Sequence, residues 1–346
     1  FPAATAKGYE LPIIQEIWDV LRAFASFGFC KAHAAAFALP TYQSAWLKTH
    51  YPAAFLAGVL THDPGMYPKR LIVDEARQMG ITIAPIDVNA SDSVYRVEDH
   101  GNAIRIALAT VSGISDGEVQ SIIAGRPYID LNDFVRRSGC STPVTESLIL
   151  TGGFDSLHAD VNRRDLLLHF SDLQKSPSAA VSGAQMNLGF DPPALISSGL
   201  PAMTASESVK HEIDRLGIDM SRHMIEFYGD FLNAIGAVRS SDLLKQRSQS
   251  SVLVAGIKVA MQTPPVRSGK RVIFLTLDDG YGLSDSTFFT DVQSEYANVL
   301  YSTSLLLVRG VTRRTGARGI SIRATGAWDL RAAYESWSAK QSTLAI

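Results

Sequence analysis

The sequence predicts a multidomain α+β chain, with helices first and a small β-barrel last. Three observations predict it. Apolar residues recur at helical spacing up to about Met79. Glycines bound a series of short helices in the middle of the chain. From Val252 onward the apolar period switches to two. With 346 residues, the chain is long enough for two or three domains, each with its own core.

Taken in order, Ile13, Ile14, Ile17, Val20, Leu21 and Phe24 fall on one helical face, and Gly28 interrupts it. A second apolar helix is expected from about His33 to Leu47, with the buried look of an alanine-rich run. Pro52 suits the first turn of a third, PAAFLAGVL, because a missing N–H costs nothing there. A turn over His62–Pro68 leads to an amphipathic helix from Lys69 to Met79, closed by Gly80. The β-branched run ITIAPIDV predicts a strand, and YRVEDHGNAIRIAL a hairpin turning at His100-Gly101-Asn102. Short helices then follow in VSGISDGEVQSIIAGR, DLNDFVRRSG and VTESLILTGGFDSL. From Leu173 to Glu207 Ser, Ala, Pro and Gly predict a flexible linker. Two further helices are expected in SESVKHEIDRLGI and HMIEFYGDFLNAIG.

Five runs of strand composition close the chain: VLVAGIKVAMQT, RVIFLTLDD, DSTFFTDV, LLLVRGVTRR and ISIRATGAW. A helical stretch, VQSEYANVLY, separates the third from the fourth. Three strands, a helix and two strands are the layout of a Greek-key barrel of the oligonucleotide/oligosaccharide-binding (OB) type.

Composition excludes some functions and leaves others open. The net charge of −2 is silent on nucleic acid, whose binding depends on a local patch. Two cysteines imply no disulfide framework and fit a reducing cytoplasm. No membrane span is predicted, since no apolar run reaches eighteen residues. The chain starts at Phe1, without an initiator methionine, and reads as a piece of something longer. No Asp-x-Asp, no phosphate-cradling G-x-x-x-x-G-K-S/T loop and no paired histidines occur, so neither a catalytic centre nor a metal site is expected. Cys30 and His33 have a half-site's spacing but no second pair of ligands, and Asp278 and Asp279 read as turn residues.

Three segments have binding chemistry. In VSGISDGEV, a turn with Gly113, Ser115 and Gly117 precedes a helix, where consecutive backbone N–H groups can hold a DNA phosphate without reading sequence. An ordinary joint between helices reads as well, and Ser115 stands where glycine is usual. LTGGFDSL is a candidate second, degenerate copy. In the linker, Gln185, Leu188 and Phe190 form a Gln-x-x-Leu-x-Phe pattern, either an anchor for a partner's groove or incidental apolar content. In the barrel, Lys258, Arg267, Lys270 and Arg271 gather at the first hairpin, with Arg309, Arg313 and Arg314 further on. With Phe274, Phe288 and Phe289 they would suit a single-strand-binding groove, or they form a solvated face over core aromatics.

The order of parts resembles a known family. FASFGFCKAHAAAFALPTYQSAWLKTHYPAAFLAGVL is similar to the fingers of the bacterial DNA polymerase III alpha subunits, the C-family replicative polymerases. DEARQMGITIAPIDVNASD, the hairpin segment with GGFDSL and the late barrel are similar too, while HDPGMYPKR and TPPVRSGKRVIFLTLDD resemble actinobacterial versions. The resemblance implies a DNA-directed DNA polymerase, a nucleotidyltransferase of DNA replication. Its catalytic aspartates and two Mg2+ ions would lie in a palm preceding this chain, leaving the fragment inactive alone. Residues 1–109 would be later fingers, 110–172 a tandem helix-hairpin-helix and 173–206 a linker with the clamp-binding peptide. Connecting helices would occupy 207–250, the barrel 251–332 and a C-terminal tail 333–346. Lys31 and His33 would face incoming dNTP or the template-primer backbone, with Cys30, Ala32, Ala34 and Phe37 departing from the usual Asn, Ser, Ser and Tyr. Gln185, Leu188 and Phe190 fall where the family has its sliding-clamp peptide, with Gly189 between anchors that tighter versions place side by side. The implied partners are primed DNA, single-stranded template, dNTP, the sliding clamp and other replisome subunits. Two alternatives stay open: a non-catalytic DNA- and clamp-binding module, and an error-prone repair relative.

Overall fold

The computed structural model describes residues 1–25, 31–65, 67–175, 195, 197–264 and 271–344. The first expected helix forms over Leu11–Ala25, but its apolar face stays open: Ile13, Ile17, Trp18, Val20 and Leu21 are exposed and Ile14 is buried. The second runs from Lys31 to His50, straight through Pro40, with no buried residue. The expectation of a buried helix is therefore corrected. Alanine stabilises a helix by intrinsic propensity, without requiring a packing partner. Burial starts at the third helix, Pro52–His62, where Ala53, Leu56, Ala57 and Leu60 form an inward stripe. The helix Lys69–Gln78 packs beside it through Ile72, Val73 and Ala76. The expected strand and hairpin form a three-stranded sheet of β1 (Thr82–Ala84), β2 (Arg96–Glu98) and β3 (Ala103–Arg105), in the order β1-β3-β2.

Four short helices follow: Asp116–Ala124, Leu131–Ser138, Thr142–Leu150 and Arg163–Lys175. Their core is aromatic, with Tyr128, Phe134 and Phe154 stacked edge to face at 4.9 Å spacings. This region packs against what precedes and follows it. Its core is continuous with that of the preceding helices and sheet, so no break in packing falls between 109 and 110. At its other end the last helix includes 173–175, which the sequence reading assigned to the linker. Asn162 and Asp165 there bind the returning chain: the Ser198 amide donates to Asp165 Oδ1 at 3.1 Å. The helix Ala205–Leu216 opens on a Thr204–Glu207 capping box. The next expected helix is split into a 3-10 turn, Met224–Tyr228, whose start the His223 ring caps at the Ile225 amide, and a helix, Gly229–Ala234.

The closing strands are β4 (Ser251–Gln262), β5 (Ile273–Asp278), β6 (Leu283–Phe288), β7 (Leu305–Arg314) and β8 (Ile320–Asp329). They close in the order β4-β5-β6-β8-β7, with the helix Thr290–Ser302 between β6 and β7, as an OB-type barrel. Val254, Leu275, Leu277, Phe288, Leu306 and Val308 fill it. At the β7 bulge, a Cβ on Gly310 would lie 2.4 Å from the Arg323 carbonyl oxygen, so only glycine fits. Residues 333–344 follow the barrel as helix. They continue the helix Leu330–Leu344, whose Ala333, Tyr334 and Trp337 pack on Ile225, Phe231 and Leu307. No helix among the described residues is long and apolar enough to cross a membrane.

Candidate nucleic-acid interface

The hairpin before Asp116 is built by one carboxylate. Ser115 is the N-cap, and its Oγ accepts the Glu118 amide at 3.3 Å. Glu118 Oε2 in turn accepts the Ser115 amide at 2.9 Å and its hydroxyl at 2.8 Å, the reciprocal capping box. Glu118 Oε1 reaches the next helix start, accepting the Ser141 amide at 3.0 Å and hydroxyl at 2.7 Å. Amides donated by Ser141 and Ser115 hold this carboxyl down at about 2. Gly113 has the left-handed φ of 81° that the turn needs. The amides of Gly113, Asp116 and Gly117 keep no hydrogen bond among the described residues and stand on an exposed turn. The Ser115 that departs from glycine thus has a definite role as the helix cap. The segment LTGGFDSL also turns between helices, but Asp155 is paired there with Arg163, whose Nη1 also donates to the Leu150 carbonyl.

On the barrel, one register row crosses every strand: Gln262, Phe274, Thr287, Arg323 and Val311 pair successively through β4, β5, β6, β8 and β7. Phe274 is 46% exposed, so it lies on the outer surface, whereas Phe288 is core. The Arg323 guanidinium sits 5.4 Å from the centre of the Phe289 ring and 3.6 Å from Asp291 Oδ2. Thr287, Phe289, Arg313 and Arg323 line a groove of about 620 Å³. Arg309 stacks over Trp328 at 5.3 Å on the outer face of β7 and β8. The sequence reading picked out Phe289 and Arg313 but missed Arg323; its place in the alternating run ISIRATG was the available signal.

The other expected site residues are dispersed. Lys258 points its Nζ at the Leu300 carbonyl, 2.7 Å away at the end of Thr290–Ser302, and burial lowers its pKa. Arg271 is exposed beside β5, and its carbonyl accepts from Thr290. Lys31 and His33 lie on the exposed face of their helix, with the His33 ring 4.5 Å from Phe37. Gln185, Leu188, Phe190, Arg267, Lys270 and Cys30 lie outside the described residues.

A helix-hairpin-helix motif family matches residues 80–166. The chain is 32% identical to an error-prone DNA polymerase of Symbiobacterium thermophilum over 92% of its own length and 34% of that protein's. It is 29% identical to the DNA polymerase III subunit alpha of Vibrio cholerae, over 97% of this chain and 30% of that one. The Escherichia coli K12 subunit alpha matches at the same identity and coverage. The chain thus spans about a third of the length of these relatives. Fold and hairpin first define a class, multidomain chains that join a helix-hairpin-helix region to an OB-type barrel. Within that class this chain is a homologue, along some nine-tenths of its length, of DNA polymerase III alpha subunits and error-prone DNA polymerases.

Proposed function

We propose that this chain is the DNA-handling part of a DNA-directed DNA polymerase: it grips template-primer through its hairpin and barrel and positions dNTP through Lys31 and His33. The observation that supports this most is the match to polymerases along some nine-tenths of the chain, hairpin and barrel included. Three unpaired amides on an exposed turn suit a phosphate. The Phe274–Arg323–Phe289 surface suits stacked bases beside a charged backbone. The Mg2+ ions and catalytic aspartates of the reaction would belong to residues outside this chain. A sliding clamp would be held through Gln185, Leu188 and Phe190, in a cytoplasmic replication complex. The names of the Symbiobacterium and Bdellovibrio relatives favour a second version of this role, error-prone synthesis in repair.

The test is anisotropy of a labelled primed oligonucleotide titrated with the chain. Each phosphate contact should cost roughly threefold in affinity for a fourfold rise in salt. Failure to retain primed DNA in dilute buffer would sink the reading. Nucleotide incorporation by the chain alone would overturn the placement of catalysis elsewhere.

A further inference from the structure

A second constellation lies inside the molecule, where the helix Lys69–Gln78, the segment 218–223 and the end of β5 meet. Asp74, Asp219, His223 and Asp278 are each no more than 2% exposed. His223 Nε2 is 3.7 Å from Asp74 Oδ2 and 3.6 Å from Asp278 Oδ2. Donor atoms of Asp74, Asp219 and His223 all lie within 4.8 Å of one another. Among the described residues seven buried side-chain polar atoms lack a hydrogen-bond partner. Five of the seven belong here: Asp74 Oδ2, both oxygens of Asp219, His223 Nε2 and Asp278 Oδ2. Unmet polar demand is concentrated at one point, which calls for a guest there.

The donor set identifies the guest. Arg77 holds Asp74 Oδ1 at 2.5 Å and donates to the carbonyls of Asp219 and Met220. Arg70 donates to the Lys258 carbonyl at 3.2 Å and acts on Asp219 and Asp278 by its charge. The Ile225 amide donates to His223 Nδ1 at 3.2 Å, which leaves Nε2 turned toward Asp74 and Asp278. Two guanidiniums and one imidazole therefore face three carboxylates. Four unmet carboxylate oxygens and a ring nitrogen form the donor set of one cation, and a water with two protons cannot serve four acceptors.

We propose that Asp74, Asp219 and His223 bind a divalent transition-metal cation, with Asp278 beside it, and that this ion joins the N-terminal helices to the barrel. Carboxylates with one imidazole suit Mn2+ or Zn2+ rather than Mg2+. Metal–donor bonds of about 2.0–2.2 Å place neighbouring donors roughly 3–4 Å apart, so a small contraction of the observed separations completes the shell. Coordination through Nε2 leaves the ring's proton on Nδ1, so the bond from the Ile225 amide is given up on loading.

The experiment strips the full chain with a chelator and titrates Mn2+, Zn2+ and Mg2+ by calorimetry, with melting followed in parallel. One equivalent of Mn2+ or Zn2+ is expected to bind and raise the melting temperature. Mn2+ should broaden the His223 ring resonances of the unsubstituted chain, and Asp219→Asn should weaken binding by about tenfold or more. The proposal is overturned by an absence of stoichiometric binding, by His223 signals that stay sharp, by affinity that survives Asp219→Asn, or by Mg2+ binding as tightly as Mn2+. The resonance measurement needs no substitution, so it decides the matter even if Asp219→Asn fails to fold.

Discussion

Glu118 ends two helices at once, because its two oxygens serve the N-termini at Ser115 and Ser141. A carboxylate held low in the folded state adds stability above the ordinary glutamate range, and that stability is lost as pH falls from 4.5 toward about 2. The effect is set by the capping hydrogen bonds from Ser141 and Ser115 and not by burial. Glu118→Gln should cost about 1 kcal/mol at neutral pH and flatten the acid limb of the stability curve between those values, measured by urea unfolding at several pH values. An unchanged acid limb would remove Glu118 from that role. Gly310 makes a different residue-scale prediction: Gly310→Ala drives a Cβ into the β8 backbone and should cost about 1–3 kcal/mol. A melting temperature equal to that of the unsubstituted chain would mean that β8 shifts freely there.

Among elements, the helix Leu330–Leu344 packs against β7 and β8 of the barrel. Phe231 is 3% exposed, with Tyr334 at 5.9 Å and Trp337 at 5.5 Å. Phe231→Ala should therefore cost about 3–4 kcal/mol by lost transfer energy and an unfilled cavity. Circular dichroism melts would check it, and a loss below 1 kcal/mol would show that the helix is not clamped through this ring. The helices Leu11–Ala25 and Lys31–His50 present the opposite case, with Trp18, Phe37, Tyr42 and Trp46 exposed. Their form comes from local propensity and not from packing within the described residues.

For the molecule as a whole, the prediction concerns the barrel's outer face. Arg323→Ala should weaken single-stranded DNA binding roughly threefold to tenfold and lower the salt slope by about one contact. Phe274→Ala should weaken binding by about 1–3 kcal/mol with the salt slope unchanged. Both would be read by anisotropy. If the two substitutions had identical salt dependence, the division into a charged and a stacking contact would fail.

The sequence by itself determined most local structure. Heptad-like apolar spacing set Pro52–His62, period-two alternation set the five strands, and Gly113 with Ser115 marked the hairpin. These signals are short-range, so they survive in one dimension. The inner helix expected from His33 proved exposed, because composition reports propensity and not whether a partner covers the surface. Tertiary structure alone decided that Lys258 caps a helix, that residues 333–344 pack as one, and that the aromatic–arginine row forms across five strands. It also brought Asp74, Asp219, His223 and Asp278 to one buried point, although the histidines are scattered singly and Asp278 reads as a turn residue. Such groups meet only because separate segments fold onto a common interior, and sequence spacing contains no trace of that convergence.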